Sequence, residues 1–180
     1  MGPEGNQRLS TATDAEDVLR VLELLAEDGV YAWVDGGWGV DALIGETTRR
    51  HSDLDLVVSS PEADKIRRIL ARAGYDRVLR DLRPVAIGVA DDHGREIDLH
   101  LVTLTDDGGG DQLLPDGGRF HYSAPVAGTV ARRRIRCVDA DTQVRAHLGY
   151  LPTAKDRRDL RALRDRLDVQ LPPPYAEEPT

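Results

Sequence analysis

Residues 31–58 read YAWVDGGWGVDALIGETTRRHSDLDLVV, and this stretch decides the fold. Its order is strand, glycine turn, short helix, loop, strand. Residues 31–34 are short and apolar. Asp35-Gly36-Gly37 reads as a tight turn, because two glycines admit positive φ and close backbone approach. Residues 38–44 form a short helix closed by Gly45. Residues 54–58 are apolar and partly β-branched, and Asp53 and Asp55 stand at their start.

In a strand, side chains i and i+2 share a face. Asp53 and Asp55 therefore point the same way, roughly 7 Å apart at Cα. Leu54 and Leu56 point the other way, into the core. Two like charges on one face repel, and a divalent cation between them removes the repulsion. A turn with free backbone N–H groups at a helix start suits a phosphate. Alone, an Asp-x-Asp pair is often a solvated loop end. In this order and spacing, the combination points to a metal–nucleotide site. No Gly-Lys-Ser/Thr is present, so the site is not a P-loop.

A third carboxylate follows. In Glu96-Ile97-Asp98-Leu99-His100, alternation puts Ile97 and Leu99 on one face and Glu96, Asp98 and His100 on the other. Asp98 has two candidate roles, third metal ligand or general base. Arg49 is placed to meet phosphate with a forked contact. His51 and His100 position carboxylates or pack. Asp35 caps the following turn, Asp41 is exposed on the short helix, and Trp38 packs.

These residues resemble one branch of the nucleotidyltransferase superfamily. The wording Trp33-x-Asp35-Gly36-Gly37-Trp38-Gly39-Val40-Asp41-Ala42-Leu43, then Thr48-Arg49-x-His51-x-Asp53-Leu54-Asp55, is similar to the small lincosamide nucleotidyltransferases and the aminoglycoside 2''-nucleotidyltransferases. The likeness continues through Cys137, His147-x-Gly149-Tyr150 and Asp156-x-x-Asp159-x-x-Ala162-Leu163, over about residues 17–168. It implies the nucleotidyltransferase fold and transfer of AMP from ATP to an antibiotic hydroxyl. It implies two Mg²⁺ ions held by Asp53, Asp55 and Asp98, with Asp98 as the base. Gly36 and Gly37 would offer N–H groups to the β- and γ-phosphates. It also implies a homodimer.

With 180 residues, the chain is sized for one domain with a small helical appendage. The net charge of −8 argues against nucleic acid as the main partner, since phosphate backbones need a basic face. It suits a cationic small molecule. A single cysteine, Cys137, precludes an internal disulfide and reads as core. No run reaches transmembrane length and residues 1–12 lack a signal-like apolar stretch, so a cytoplasmic location and no membrane partner are expected.

The fold class expected is α+β: a mixed, twisted β-sheet flanked by helices, with a helical C-terminal part. Residues 1–12 are expected to be disordered, 13–140 to form the catalytic unit, 141–170 to add helices that complete the site, and 171–180 to be a tail. Thr13 to Glu16 reads as a capping box for a helix ending near Glu27. Residues 59–62 start a second helix. Strands are expected at 77–80, 85–90 and 96–102, then a flexible Asp/Gly-rich loop over 104–118. Further strands follow at 120–124, 128–130 and 134–138, a helix at 142–148, and a last helix capped at Thr153 with Leu160, Leu163 and Leu167 buried. Two other functions share this pattern: a natural-product enzyme on a repurposed scaffold, and a non-catalytic nucleotide-binding module.

Overall fold

The computed structural model of the chain describes residues 12–176. The N-terminal stretch expected to be disordered lies outside the described residues apart from Ala12, as do residues 177–180. Among the described residues, nine strands join in one mixed sheet. The elements run α1 (Ala15–Glu27), β1 (Trp33–Asp35), α2 (Gly36–Ile44), β2 (Asp53–Ser59), α3 (Ala63–Arg72), β3 (Arg77–Leu82), β4 (Ala86–Ala90) and β5 (Glu96–Leu104). Then come β6 (Gly110–Leu113), β7 (Arg119–Tyr122), β8 (Val126–Val130), β9 (Arg133–Cys137), α4 (Ala140–Ala146) and α5 (Ala154–Leu167). Along the sheet the order is β3-β4-β5-β2-β1-β9-β8, and the β6–β7 hairpin adds to the far end of β5. β2 and β5 run parallel, as do β1 and β9.

Alternation sorts the two faces. Leu54, Leu56 and Val58 of β2, Ile97, Leu99 and Leu101 of β5, and Ile87 and Val89 of β4 are buried in one cluster. Val18, Val21 and Leu25 of α1 and Ile66, Ile69 and Leu70 of α3 cover them. This leaves Asp53, Asp55, Asp98 and His100 on the opposite face. A separate cluster of Val40, Val144, Leu160, Leu163 and Tyr175 ties α2 to α4 and α5.

Four local expectations change. The α1 capping box is Asp14 with Asp17, one residue later than Thr13 with Glu16. Asp14 accepts from the Asp17 amide, and both pairs of residues have the required spacing. The 104–118 stretch is not a loop throughout: β5 runs to Leu104 and β6 occupies Gly110–Leu113, buried at alternate positions. Leu167 is 41% exposed, because it falls at the last turn of α5 beyond the apolar stripe. The tail does not leave the fold at the prolines: Tyr175 is buried and its hydroxyl donates to the His147 carbonyl at 3.0 Å.

Candidate active site

Three aspartates form one row across three adjacent strands. Asp35 of β1 stands opposite Asp55 of β2, and Asp55 stands opposite Asp98 of β5. Direct cross-strand neighbours have Cβ atoms about 5 Å apart, so their charges interact strongly. Asp53 lies two residues before Asp55 on the same face. The expected trio of Asp53, Asp55 and Asp98 is therefore brought together on one face. Asp35, expected as a turn cap, makes no side-chain cap bond and joins the row instead.

The first turn of α2 abuts this row. Gly36 has φ +56, and a Cβ there would lie 2.1 Å from Asp55 Oδ2. Only glycine lets the Asp55 carboxylate come so close to the helix start. At Gly37 a Cβ would lie 2.2 Å from Arg49 Nη2 and 2.5 Å from His51 Nδ1. Both glycines contribute first-turn N–H groups, which have no partner inside the helix.

Asp98, Asp53 and Asp55 are each met by a cation from a different element. Arg80 of β3 pairs with Asp98. Lys155 of α5 reaches Asp53 at 3.3 Å. His100 Nε2 lies 3.4 Å from Asp55 Oδ1. Gln112 of β6 lies behind His100, its side-chain nitrogen donating to the Val85 carbonyl at 3.0 Å. The Tyr122 hydroxyl sits between Asp35 and the Gln112 side-chain carbonyl, which is 3.4 Å away.

Electrostatics separate the acids. Burial and the neighbouring Asp55 charge push Asp98 up to about 6, against the pull of Arg80. Burial also raises Asp35. Burial would raise Asp55 too, but the hydrogen bond and charge of His100 outweigh it and hold this group below the usual carboxylate range. His100 is pushed up to about 9, because Asp55, Asp35 and Asp98 overcome its desolvation. The row thus contains one ionised acid locked to an imidazolium and one acid poised near neutrality.

Hard carboxylate oxygens on one face suit Mg²⁺, which prefers one or two carboxylates plus substrate phosphates. Among the described residues, no three acidic, histidine or cysteine side chains converge on one ion position. Arg80, Lys155 and His100 each contact one carboxylate. Carboxylate oxygens are the donors this metal takes, and Asp53, Asp55 and Asp98 are the residues that could hold it.

A profile of the aminoglycoside-2''-adenylyltransferase family matches residues 17–163, from α1 into α5. The chain belongs to this family. Its members are adenylyltransferases, and the matched span contains the whole acidic row. A lincosamide resistance protein of Staphylococcus haemolyticus is 28% identical over 151 residues, 83% of this chain and 93% of that protein. A 2''-aminoglycoside nucleotidyltransferase of Escherichia coli is 29% identical over 66% of this chain and 63% of its own length. Among solved structures, the lincomycin-bound lincosamide antibiotic adenylyltransferase LnuA superposes with a TM-score of 0.76 at 28% identity, over 85% of this chain and 98% of that one. ANT(2'')-Ia in complex with adenylyl-2''-tobramycin superposes at 0.70 with 19% identity, over 85% and 88%, which shows the shared nucleotidyltransferase fold.

Two further readings of single residues are corrected. Arg49 does not present its fork to the site: Nε and Nη2 donate to the two Asp159 oxygens, each at 2.6 Å, and Nη1 donates to the Arg50 carbonyl. The pair is buried, and it fastens α5 to the loop before β2. Asp41 is not exposed: it is buried, with Oδ2 2.5 Å from His51 Nε2 and Oδ1 accepting from the Thr48 hydroxyl at 2.6 Å. His51 packs as expected, its ring 4.5 Å from that of Trp38. Sequence reasoning missed Lys155, Arg80, Gln112 and Tyr122. Lys155 alone had a signal, since it lies in the first turn of a capped helix.

No helix among the described residues is long and apolar enough to cross a membrane.

Proposed function

We propose that this chain transfers AMP from Mg²⁺-bound ATP to a hydroxyl of a lincosamide-type antibiotic, with Asp98 as the general base. The observation that carries this is the register Asp55↔Asp98, which sets a poised carboxylate beside an ionised one on a single face. Asp53, Asp55 and Asp98 would hold the metal, which when bound would offset charge on the attacking and leaving oxygens. An Asp98 oxygen takes the proton of the acceptor hydroxyl. The freed oxygen electron pair attacks the α-phosphorus, and the bond from that phosphorus to the bridging oxygen breaks. Pyrophosphate leaves with the bond's electron pair. With a pKa of about 6, Asp98 is largely ionised at neutral pH and a stronger base than an ordinary aspartate.

The phosphate contacts expected of Arg49 fall instead to α5. Lys155, Arg158 and Arg161 line one groove with Arg50 and run from Asp53 along the helix. Spaced by three residues, they span about 9 Å on one face. This is a basic wall in a chain of net charge −8, and it suits the departing pyrophosphate. The amides of Gly36 and Gly37 face the same phosphates from α2. The lincosamide acceptor is favoured by the span of the likeness to the Staphylococcus haemolyticus protein.

The test is pyrophosphate release from ATP and MgCl₂ with lincomycin, clindamycin, tobramycin and gentamicin, for wild type and Asp98→Asn. Turnover with a lincosamide, lost by at least ~100-fold in Asp98→Asn, is expected. Turnover confined to the aminoglycosides would move the acceptor class. Metal-dependent ATP binding with no turnover on any acceptor would refute the reading.

A further inference from the structure

The row of aspartates does not end at Asp98. Gly88 of β4 stands opposite Asp98, and Arg80 of β3 stands opposite Gly88. Two irregularities produce this alignment. First, β3 carries a bulge: Val78 pairs with Val89 and Arg80 with Gly88, so Leu79 is an extra residue. In a regular ladder Leu79 would stand opposite Gly88, and Arg80 would turn to the helix-covered face. Second, position 88 has no side chain. A Cβ there would lie 2.9 Å from Arg80 Cγ, 2.9 Å from Asp98 Oδ1 and 3.1 Å from Arg80 Cζ. The Arg80 stem therefore lies across the space that a residue at 88 would fill. The Asp98 side chain is only 15% exposed and that of Arg80 is 41% exposed, so the arginine reaches inward from an edge strand.

An exposed ion pair alone contributes little, and needs neither device. We propose that Arg80 is a positioning residue for Asp98: its guanidinium fixes Oδ1 and so presents Oδ2 to the acceptor hydroxyl. This rests on Asp98 being the proton acceptor. Arginine suits the task because its planar head keeps direction as well as charge.

The test uses the full chain with Arg80→Met, which keeps the stem and loses the charge, Arg80→Lys, which keeps the charge, and Gly88→Ala, which fills the gap. Misplaced catalytic groups lower rates by about 100-fold. In Arg80→Met and Gly88→Ala, kcat should fall by ~10- to 100-fold, more than any weakening of the calorimetric Kd for Mg²⁺–ATP, and both variants should remain folded. Arg80→Lys should recover part of kcat. Crystals of Arg80→Met should show the Asp98 carboxylate rotated. Wild-type kcat in Arg80→Met overturns the proposal. So does a loss confined to KM for ATP, which would make Arg80 a phosphate contact, or an Asp98 rotamer that does not change. A wild type inactive on every acceptor would sink the proposed activity, whereas the Asp98 rotamer in Arg80→Met decides the positioning role alone.

Discussion

Replacing Asp98 with asparagine should stabilise the protein while abolishing turnover. In the fold, burial and Asp55 raise the Asp98 carboxyl from 3.8 to about 6. In the unfolded chain it titrates near its ordinary value. Between those two pH values the folded state binds more protons, so stability falls as pH rises through this window. Above pH 6 the penalty is complete. A difference of about two pKa units, at ~1.4 kcal/mol each, gives about 3 kcal/mol. The neutral amide that Asp98→Asn introduces cannot balance the full charge of Arg80, so a net gain of ~1–3 kcal/mol is expected at pH 7. For a chain of this size that raises Tm by several degrees, about 2–4 °C per kcal/mol. Urea titrations of both proteins at pH 4.5, 6 and 7.5, without metal or nucleotide, measure it. The gap should be small at pH 4.5 and widest at pH 7.5. Adding Mg²⁺ should narrow it, by stabilising the wild type more. A variant less stable at every pH, or a gap indifferent to pH, would refute the electrostatic account of the row.

Gly36→Ala should remove activity by displacing Asp55, since its Cβ would lie 2.1 Å from Asp55 Oδ2 and its φ of +56 disfavours any side chain; turnover and Mg²⁺–ATP calorimetry check this. Asp159→Ala should destabilise by ~3–5 kcal/mol, because it leaves the buried Arg49 guanidinium unpaired; urea midpoints measure it. Tyr175→Ala should cost about 3 kcal/mol by opening the cluster under α4 and α5, whereas a tail that merely trailed would show no change in Tm.

The sheet and its polarity were legible because they follow from period-two alternation. Leu54/Leu56 against Asp53/Asp55, and Ile97/Leu99 against Asp98/His100, sort core from site with no tertiary knowledge. What failed were claims about which partner a polar group finds. Arg49 reads equally well as a phosphate ligand or as half of an ion pair, and its partner Asp159 lies 110 residues away. Asp41 looked exposed on a short helix because nothing local announces that His51 and Thr48 fold back onto it. The 104–118 stretch looked like a loop because β6 is short and its composition is that of turns. Its pairing to β5 decides its state, and β-propensity gives way to such context. Arg80 was illegible for a different reason. Its orientation depends on a one-residue bulge, which shifts every later side chain of β3 to the other face.

The acidic row also explains why so many cations from distant elements meet here. Asp35, Asp55 and Asp98 in direct cross-strand register would oppose pairing of β1, β2 and β5 if all three were ionised and unaccompanied. The fold answers at Asp55 with His100 from within β5 and at Asp98 with Arg80 from β3, while Lys155 from the start of α5 meets the adjoining Asp53. Each contact neutralises one carboxylate, and none places two carboxylates on a common partner. A divalent cation would do what these three cannot, by drawing two carboxylates together. Binding would then release Lys155 from Asp53 and free it to meet phosphate. The same lysine would stabilise the empty site and accompany the leaving group. On this argument, Lys155→Met should weaken both the apo fold and Mg²⁺–ATP affinity, and a variant that lost affinity alone would show that the Asp53 contact has no part in holding the free site together.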